Sequence, residues 1–118
     1  MAYNEKLTER VRTALSDLPS VEEKKMFSGI TFMVDDKMCI SVGDDRIMCR
    51  IDPALHEEAI KRKAACTVIM KGREYIGYVY IQEAGITSKE DFDYWIGLAL
   101  EFNKKAKAST NAGRRLNG

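Results

Sequence analysis

Few residues in this chain have the types and spacing that catalysis requires. The most suggestive group is the triplet His56-Glu57-Glu58, which contains the single histidine. An imidazole beside carboxylates can act as a general base or contribute to a metal site. The triplet lies in a stretch with the pattern of an amphipathic helix, where such side chains more often form a solvated face. We therefore predict no catalytic residue and no enzymatic activity.

The three cysteines, Cys39, Cys49 and Cys66, form no CxxC pair. With one histidine in the chain, a zinc site would need carboxylates or ligands from a second chain. Cys39 and Cys49 lie in strand-like segments, and cysteine often behaves as a small buried hydrophobic residue. We expect three reduced, structural thiols, with no metal and no cofactor.

Two pairs of neighbouring aspartates, at 35–36 and 44–45, lie between strand-like segments. Paired carboxylates can hold a cation, but neither pair has the ligand spacing of a calcium loop. Aspartate is favoured in tight turns because its side chain hydrogen-bonds to the nearby backbone. We interpret both pairs as hairpin turns.

Charge is distributed unevenly along the chain. Residues 1–102 carry 14 Lys and Arg against 18 Asp and Glu, whereas residues 103–118 carry five basic residues and no acidic one. A basic arm on an acidic body can bind nucleic acid. A frayed, solvated terminus has the same composition. The acidic body opposes a broad phosphate-binding face, which needs several cationic contacts.

A second basic region spans residues 61–73. Its cations, which have tyrosines nearby in the sequence, are Lys61, Arg62, Lys63, Lys71 and Arg73. A basic and aromatic surface of this kind can bind nucleic acid. Basic side chains in the last turn of a helix also complement the helix dipole. Nucleic acid is therefore the alternative partner and not the favoured one.

The apolar periodicity predicts three helices and five strands in the order α-β(3)-α-β(2)-α. The helices are predicted over 5–18, from Pro53 with Asp52 as its cap, and from the cap Ser88 to about residue 107. Closely spaced β-rich runs broken by Gly and Asp turns indicate a mainly antiparallel sheet. Helices on one face of that sheet give a two-layer α+β domain.

The second face of the predicted sheet has no helix to cover it. Alternation along the strands assigns Met33, Met48, Tyr78 and Tyr80 to this face and Tyr75 to the opposite one. Exposed apolar patches usually mark a partner surface. A homodimer is the simplest way to cover such a face.

The chain length of 118 residues is that of one domain. We assign the domain to residues 1–107 and a disordered basic tail to 108–118. No run approaches the roughly 20 apolar residues that a membrane span needs, and the N-terminus has no apolar signal segment. We expect a cytoplasmic protein without a membrane partner.

The stretch EKKMFSGITFMV, residues 23–34, places charges directly before an apolar, strand-like run. We expect residues 23–25 to close the linker after the first helix, and Gly29 to allow a bend or bulge. The alternative is a recognition surface for a partner. The candidate partner-binding residues are Lys24, Lys25, Met26, Phe27, Gly29, Arg50, Tyr78 and Tyr80.

The motifs that carry a family resemblance are MAYNEKLTERVR at the start, EKKMFSGITFMVDDKMC at 23–39, MCRI at 48–51, GYVYI at 77–81 and YWIGLALEF in the third helix. On these motifs, the chain resembles the TfoX N-terminal domain family. The resemblance extends from Met1 to about Lys107. It implies the N-terminal module of the TfoX competence regulators, in a stand-alone form, and a two-layer fold like that of type III secretion chaperones. It implies no catalytic residue. The expected function is regulation through protein–protein contacts.

Overall fold

The computed structural model describes residues 4–26 and 29–105, with Met26 described by its backbone alone. Three helices and six strands make up this part of the chain. The helices are α1 (Glu5–Ala14), α2 (His56–Ala59) and α3 (Lys89–Lys105). The strands are β1 (Val21–Met26), β2 (Gly29–Val34), β3 (Lys37–Val42), β4 (Arg46–Arg50), β5 (Ala65–Met70) and β6 (Arg73–Gln82). The predicted tail, 108–118, lies outside the described residues.

The sheet is antiparallel and has six strands in the order β1-β2-β3-β4-β6-β5, so the prediction of five strands is wrong. The missed strand is β1, whose sequence VEEKKM includes the segment expected to close a linker. It pairs with β2 from Val21 opposite Val34 to Met26 opposite Gly29. Charged residues suit an edge strand because they oppose pairing with another chain. The α+β class is confirmed.

Local capping signals in the sequence place the helix starts correctly. The backbone N–H of Leu7 donates to Asn4 Oδ1 over 3.0 Å, and that of Asp91 donates to Ser88 Oγ over 3.1 Å. Helix α1 ends at Ala14, earlier than predicted. The segment predicted as a second helix forms a short 3-10 turn over Pro53–Leu55 followed by the single turn of α2.

The main core lies between the sheet and the helices. Helices α1 and α3 bury Leu7, Val11, Trp95 and Ala99 against the strands. The strand residues that face them include Phe32, Ile40, Ile47, Val79 and Ile81. This arrangement gives one helix-covered face and one face without a helix layer, as the strand patterns predicted.

A bulge in β6 overturns the predicted position of Tyr75. Thr67 pairs with Val79 but the next residue, Val68, pairs with Tyr75, so β6 has extra residues at this point. Gly77 lies within the bulge at φ +96°, a conformation that side chains disfavour. The phase of the strand changes across the bulge, and Tyr75 therefore lies on the face of Tyr78.

None of the helices in the described part of the chain is both long and apolar enough to cross a membrane.

Candidate partner-binding face

The sheet face without helices carries a second apolar cluster, which we call the methionine–tyrosine face. Its buried floor and half-buried rim comprise Met33, Met38, Met48, Val68, Met70, Tyr75, Tyr78 and Tyr80. The floor is well packed, since Met48 is 3% exposed and Val68 is 0% exposed. The tyrosines and Met70 are half-buried and form the accessible part of the cluster.

The strand register aligns one row of side chains across all six strands of this face. Successive cross-strand partners in the row are Lys24, Thr31, Ser41, Met48, Tyr80 and Cys66. Residues directly opposite each other in antiparallel strands lie on the same side of the sheet. The row therefore runs from a cation at the β1 edge, through two hydroxyl residues, a methionine and a tyrosine, to an exposed thiol at the β5 edge.

A polar pair interrupts the apolar floor within this row. The hydroxyl oxygens of Thr31 and Ser41 lie 3.0 Å apart and form a hydrogen bond. Both residues are buried, so the bond satisfies two hydroxyls that would otherwise be costly to remove from water. The pair fixes the register of β2 against β3 beneath the cluster.

Arg46 of β4 lies over a tyrosine of β6, and Arg50 of β4 contacts both a tyrosine of β6 and the ring of Phe102 on α3, whose centroid is 5.5 Å away. The guanidinium carbon of Arg46 is 3.6 Å from the ring centroid of Tyr80, and that of Arg50 is 5.8 Å from the centroid of Tyr78. Tyr75 meets Tyr78 edge to face, with centroids 6.2 Å apart. Cation–π contacts of this kind hold the rings in place at modest energy, about 0.5–1 kcal/mol at exposed sites.

The charge of this face is opposite in sign to that of the domain. Among the described strand residues, the register assigns four cations to it, namely Lys24, Arg46, Arg50 and Arg73. The one carboxylate in the same set is Glu22, which lies 4.0 Å from Lys24. Residues 1–102 have an excess of acidic side chains, so the methionine–tyrosine face is a basic, aromatic surface on an acidic body.

The structure brings four of the predicted partner-binding residues onto one face: Lys24, Arg50, Tyr78 and Tyr80. Lys25 lies opposite Ile30 of the main core and therefore belongs to the helix-covered side. Met26 is described as the last backbone position of β1, and Phe27 lies outside the described residues.

Gly29 lies where two strands approach each other closely, and the irregularity in the pairing of β2 lies at Phe32 and Met33 instead of at Gly29. A Cβ atom at this position would lie 2.0 Å from the carbonyl oxygen of Val42. No side chain fits at that distance, so β2 approaches the end of β3 more closely than any other residue would allow.

Several contributors to the face were not among the predicted site residues, and three of them show why. Met38 lies beyond an irregularity in the pairing of β2 and β3, so simple alternation along β3 does not assign it to this face. Tyr75 is displaced by the bulge in β6. Arg46 could have been recognised, because it alternates with Met48 and Arg50 along β4 and stands opposite the Tyr80 strand.

His56 is buried, so the expectation of a solvated face at this position is wrong. Its Nδ1 atom accepts a hydrogen bond from the backbone N–H of Gly77 at 2.9 Å. The ring then carries its proton on Nε2, which donates to Thr67 Oγ1 over 2.8 Å. Both ring nitrogens are used in joining α2 to β5 and β6.

The thiols divide into two buried and one exposed. Burial raises the pKa of Cys39 to about 12 and raises the pKa of Cys49 well above its ordinary value. Cys66 is exposed on β5, and none of the three forms a disulfide. Within the described ranges, no group of three or more His, Cys, Asp or Glu side chains could hold a metal ion.

Fold and face together define a small α+β domain with one helix-covered side and one basic, aromatic side. The sequence profile of the TfoX N-terminal domain matches residues 13–103 of the 118-residue chain. The chain belongs to this family, which confirms the resemblance seen in the sequence. Comparison with curated proteins and with solved structures gave no match.

Proposed function

We propose that this domain is a non-enzymatic regulatory module, of the kind found in TfoX competence regulators, that acts through protein–protein contacts. The methionine–tyrosine face is the surface that makes them. The observation that carries the proposal is the layer of half-buried tyrosines under arginines above a packed methionine floor. Tyrosine, arginine and methionine are the residue types enriched in protein interfaces.

Rigidity of the floor favours binding without a large ordering cost. Met48 and Val68 are already packed in the free domain, and the ring of Tyr80 is held beneath Arg46. A partner then has to order few side chains, and ordering costs are a main term that opposes association. The free thiols of all three cysteines fit a reducing, cytoplasmic location, which is part of this proposal.

The test uses two matched arginine–tyrosine pairs on opposite sides of the sheet. Arg46 lies 3.6 Å from the Tyr80 ring on the methionine–tyrosine face, and Arg62 lies 3.7 Å from the Tyr94 ring on α3. Crosslinked capture from native cytosol is compared for the wild type, Tyr80→Ser and Tyr94→Ser, each checked for folding and with a nuclease-treated control.

We expect a defined protein to be captured by the wild type and by Tyr94→Ser, and to be lost with Tyr80→Ser. Capture should survive nuclease treatment. Equal capture by both variants would contradict the assignment of this face. The same face could instead bind a second copy of the chain to form a homodimer. Light scattering across a concentration series would then show the mass of the wild type doubling and that of Tyr80→Ser staying at the monomer value.

A nucleic-acid partner is the alternative function, and one observation favours it. The face combines three tyrosines with four cations against one carboxylate. Bases stack on aromatic rings, and a positively charged groove can follow the phosphates of a single strand. The nucleic-acid alternative predicts binding to single-stranded DNA or RNA. That binding should weaken as the salt concentration rises and also when residues 103–118 are removed. An absence of binding at low salt would exclude it.

A further inference from the structure

The two edges of the sheet differ in a way that bears on partner binding. The β1 edge carries Glu22, Glu23, Lys24 and Lys25, whereas the β5 edge, ACTVIM, contains no charged residue. Charged side chains on an edge strand discourage pairing with another strand. One edge of this sheet therefore has the usual protection and the other does not.

The backbone of β5 presents hydrogen-bonding groups away from the sheet. The β5–β6 turn, Lys71–Gly72, has φ values of +53° and +75°, which is typical of a two-residue turn whose flanking pair is hydrogen-bonded. At the other end of β5 the N–H of Gln82 donates to the carbonyl of Ala64. In an antiparallel pair, the backbone N–H and C=O groups of successive residues point alternately toward and away from the partner strand. Counting between these two points, the groups of Thr67 and Ile69 point away from β6.

The bulge does not disturb this alternation, because its extra residues belong to β6. Ala65, the third outward position, already donates its N–H to the carbonyl of Arg62 over 3.3 Å. Among the described residues, the backbone N–H and C=O groups of Thr67 and Ile69 have no hydrogen-bond partner outside the strand pair. Two donors and two acceptors are thus available at the edge.

The side chains of β5 are also suited to an added strand. Ile69 is 58% exposed, the highest value among the exposed large hydrophobic residues, and Cys66 is exposed as well. Thr67, Val68 and Ile69 form a β-branched run, which favours extended structure on both sides of a strand pair.

Cations stand at both ends of this uncharged edge. Lys61 and Lys63 precede β5, and Lys71 and Arg73 follow it; all four are exposed. Within the described part of the chain, none of their side chains makes an ion pair, a hydrogen bond or a ring contact. A six-residue strand is about 20 Å long, so the two cationic pairs are separated by the length of the strand.

The four cations also favour one kind of binding partner at the β5 edge over the others. A second copy pairing antiparallel about a two-fold axis would bring its Lys71 and Arg73 against Lys61 and Lys63 of the first, and like charges oppose association. An extended segment with acidic residues at both ends would instead meet a cation at each end. Nucleic acid would use the cations but leave the outward amides of Thr67 and Ile69 without the partners that a strand supplies.

We propose that the β5 edge binds an extended segment of a partner protein by β-strand addition, and that the segment carries acidic residues at each end of a short uncharged, β-prone run. The inference rests on the proposed function in protein contacts, but it uses the outward backbone groups of the β5 edge, which adjoins the methionine–tyrosine face and shares Arg73 with it. The chemistry of recognition is main-chain hydrogen bonding to Thr67 and Ile69, with ion pairing at the two ends.

The experiment is a titration of the ¹⁵N-labelled full chain with a synthetic peptide of about ten residues. The peptide has two acidic residues at each end and alternating threonine and valine between them. We expect the amide signals of Thr67 and Ile69 to shift and these two amides to become protected from hydrogen exchange. A peptide with lysines at the ends should not bind.

Two variants test the two kinds of contact separately. The double variant Lys63→Glu with Lys71→Glu should weaken binding by roughly tenfold or more, because both end contacts become repulsive. Ile69→Pro removes one outward N–H and leaves the β5–β6 hydrogen bonds in place. It should abolish protection of the Thr67 amide, which is the readout that remains because proline has no amide N–H. The matched control, Lys24→Glu with Lys25→Glu at the β1 edge, should leave the affinity unchanged.

Several results would overturn the proposal. These are binding without protection of the Thr67 and Ile69 amides, equal weakening by the β1-edge control, or no binding of the acidic peptide at millimolar concentration. An oligothymidylate that binds in place of the peptide would assign the cations to nucleic acid. Tyr80→Ser should bind the peptide normally, so failure at the edge and failure of the methionine–tyrosine face are distinguishable.

Discussion

The Nδ1 atom of His56 accepts a hydrogen bond from the backbone N–H of Gly77 at a distance of 2.9 Å. The acceptor lies on the short helix α2 and the donor lies in the bulge of β6. The contact is buried. It joins the irregularly paired segment of β6 to helix α2 on the helix-covered side of the sheet. The bulge in turn places Tyr75 beside Tyr78 on the methionine–tyrosine face.

We predict that His56→Leu destabilises the domain by about 1–3 kcal/mol, because it leaves the buried N–H of Gly77 without an acceptor. His56→Asn should lose less, since its side-chain oxygen can occupy the position of Nδ1. Urea unfolding curves for the two variants check this expectation. Equal losses for both variants would show that packing, and not the hydrogen bond, accounts for the effect.

Gly29→Ala should lower the free energy of unfolding substantially, since the new Cβ would lie 2.0 Å from the carbonyl oxygen of Val42. Backbone of β2 or β3 must shift to relieve that contact, at a cost of about 1–3 kcal/mol for overpacking. Gly97→Ala is the matched control, because nothing lies within 4 Å of a Cβ at that position. The midpoint of thermal unfolding should fall for the first variant and stay equal or rise for the second, a helix position.

Native protein should react with a thiol reagent at one cysteine, Cys66, at mildly alkaline pH. Burial removes Cys39 and Cys49 from the reagent and raises the pKa of both thiols, that of Cys39 to about 12. The thiolate is the reactive form, so these two should react on the timescale of unfolding. Counting the thiols modified before and after adding denaturant measures the difference. Cys66→Ser should eliminate the fast phase, and a remaining fast phase would place a second thiol within reach of solvent.

The Arg12–Glu23 pair should make a small, pH-dependent contribution to stability. The guanidinium donates to both oxygens of Glu23, from Nε at 2.6 Å and Nη2 at 2.7 Å, and these hydrogen bonds lower the pKa of Glu23. A lowered carboxyl pKa stabilises the fold above the unfolded value of about 4.3, and the contribution is lost as pH falls through the folded pKa. Both side chains are partly exposed, so about 0.2–1 kcal/mol is expected.

The measurement compares urea unfolding of the wild type and Glu23→Gln from neutral to strongly acidic pH. The difference in stability between the two proteins should be largest near neutral pH and vanish in acid. A difference that grows in acid would mean that the pair does not stabilise the folded state through the ionised carboxylate.

Strands with regular alternation were predictable from the sequence, and so were the caps. In β4, Ile47 and Cys49 lie in the main core and Met48 in the second cluster, as alternation requires. Asp35 and Asp36 form the β2–β3 turn with φ values of +53° and +64°. Such features depend on neighbouring residues, and their physical causes are therefore present in a short stretch of sequence.

The remaining features depend on contacts between distant segments. The strand β1 has the composition of a solvated linker, and it is extended because β2 offers it a hydrogen-bonding edge from Val34 to Gly29. Tyr75 changes face because a bulge forms where His56, 21 residues earlier in the chain, accepts the N–H of Gly77. Periodicity within one strand contains no information about such long-range partners.

The sequence by itself determined the family, the α+β class, the antiparallel pairing and the apolar character of both sheet faces, because these follow from local pattern and motif. Tertiary structure alone decided that Lys24 shares a face with the tyrosines and which edge of the sheet is uncharged. Both depend on the strand order β1-β2-β3-β4-β6-β5. That order is set by packing and hydrogen bonding between segments far apart in the chain.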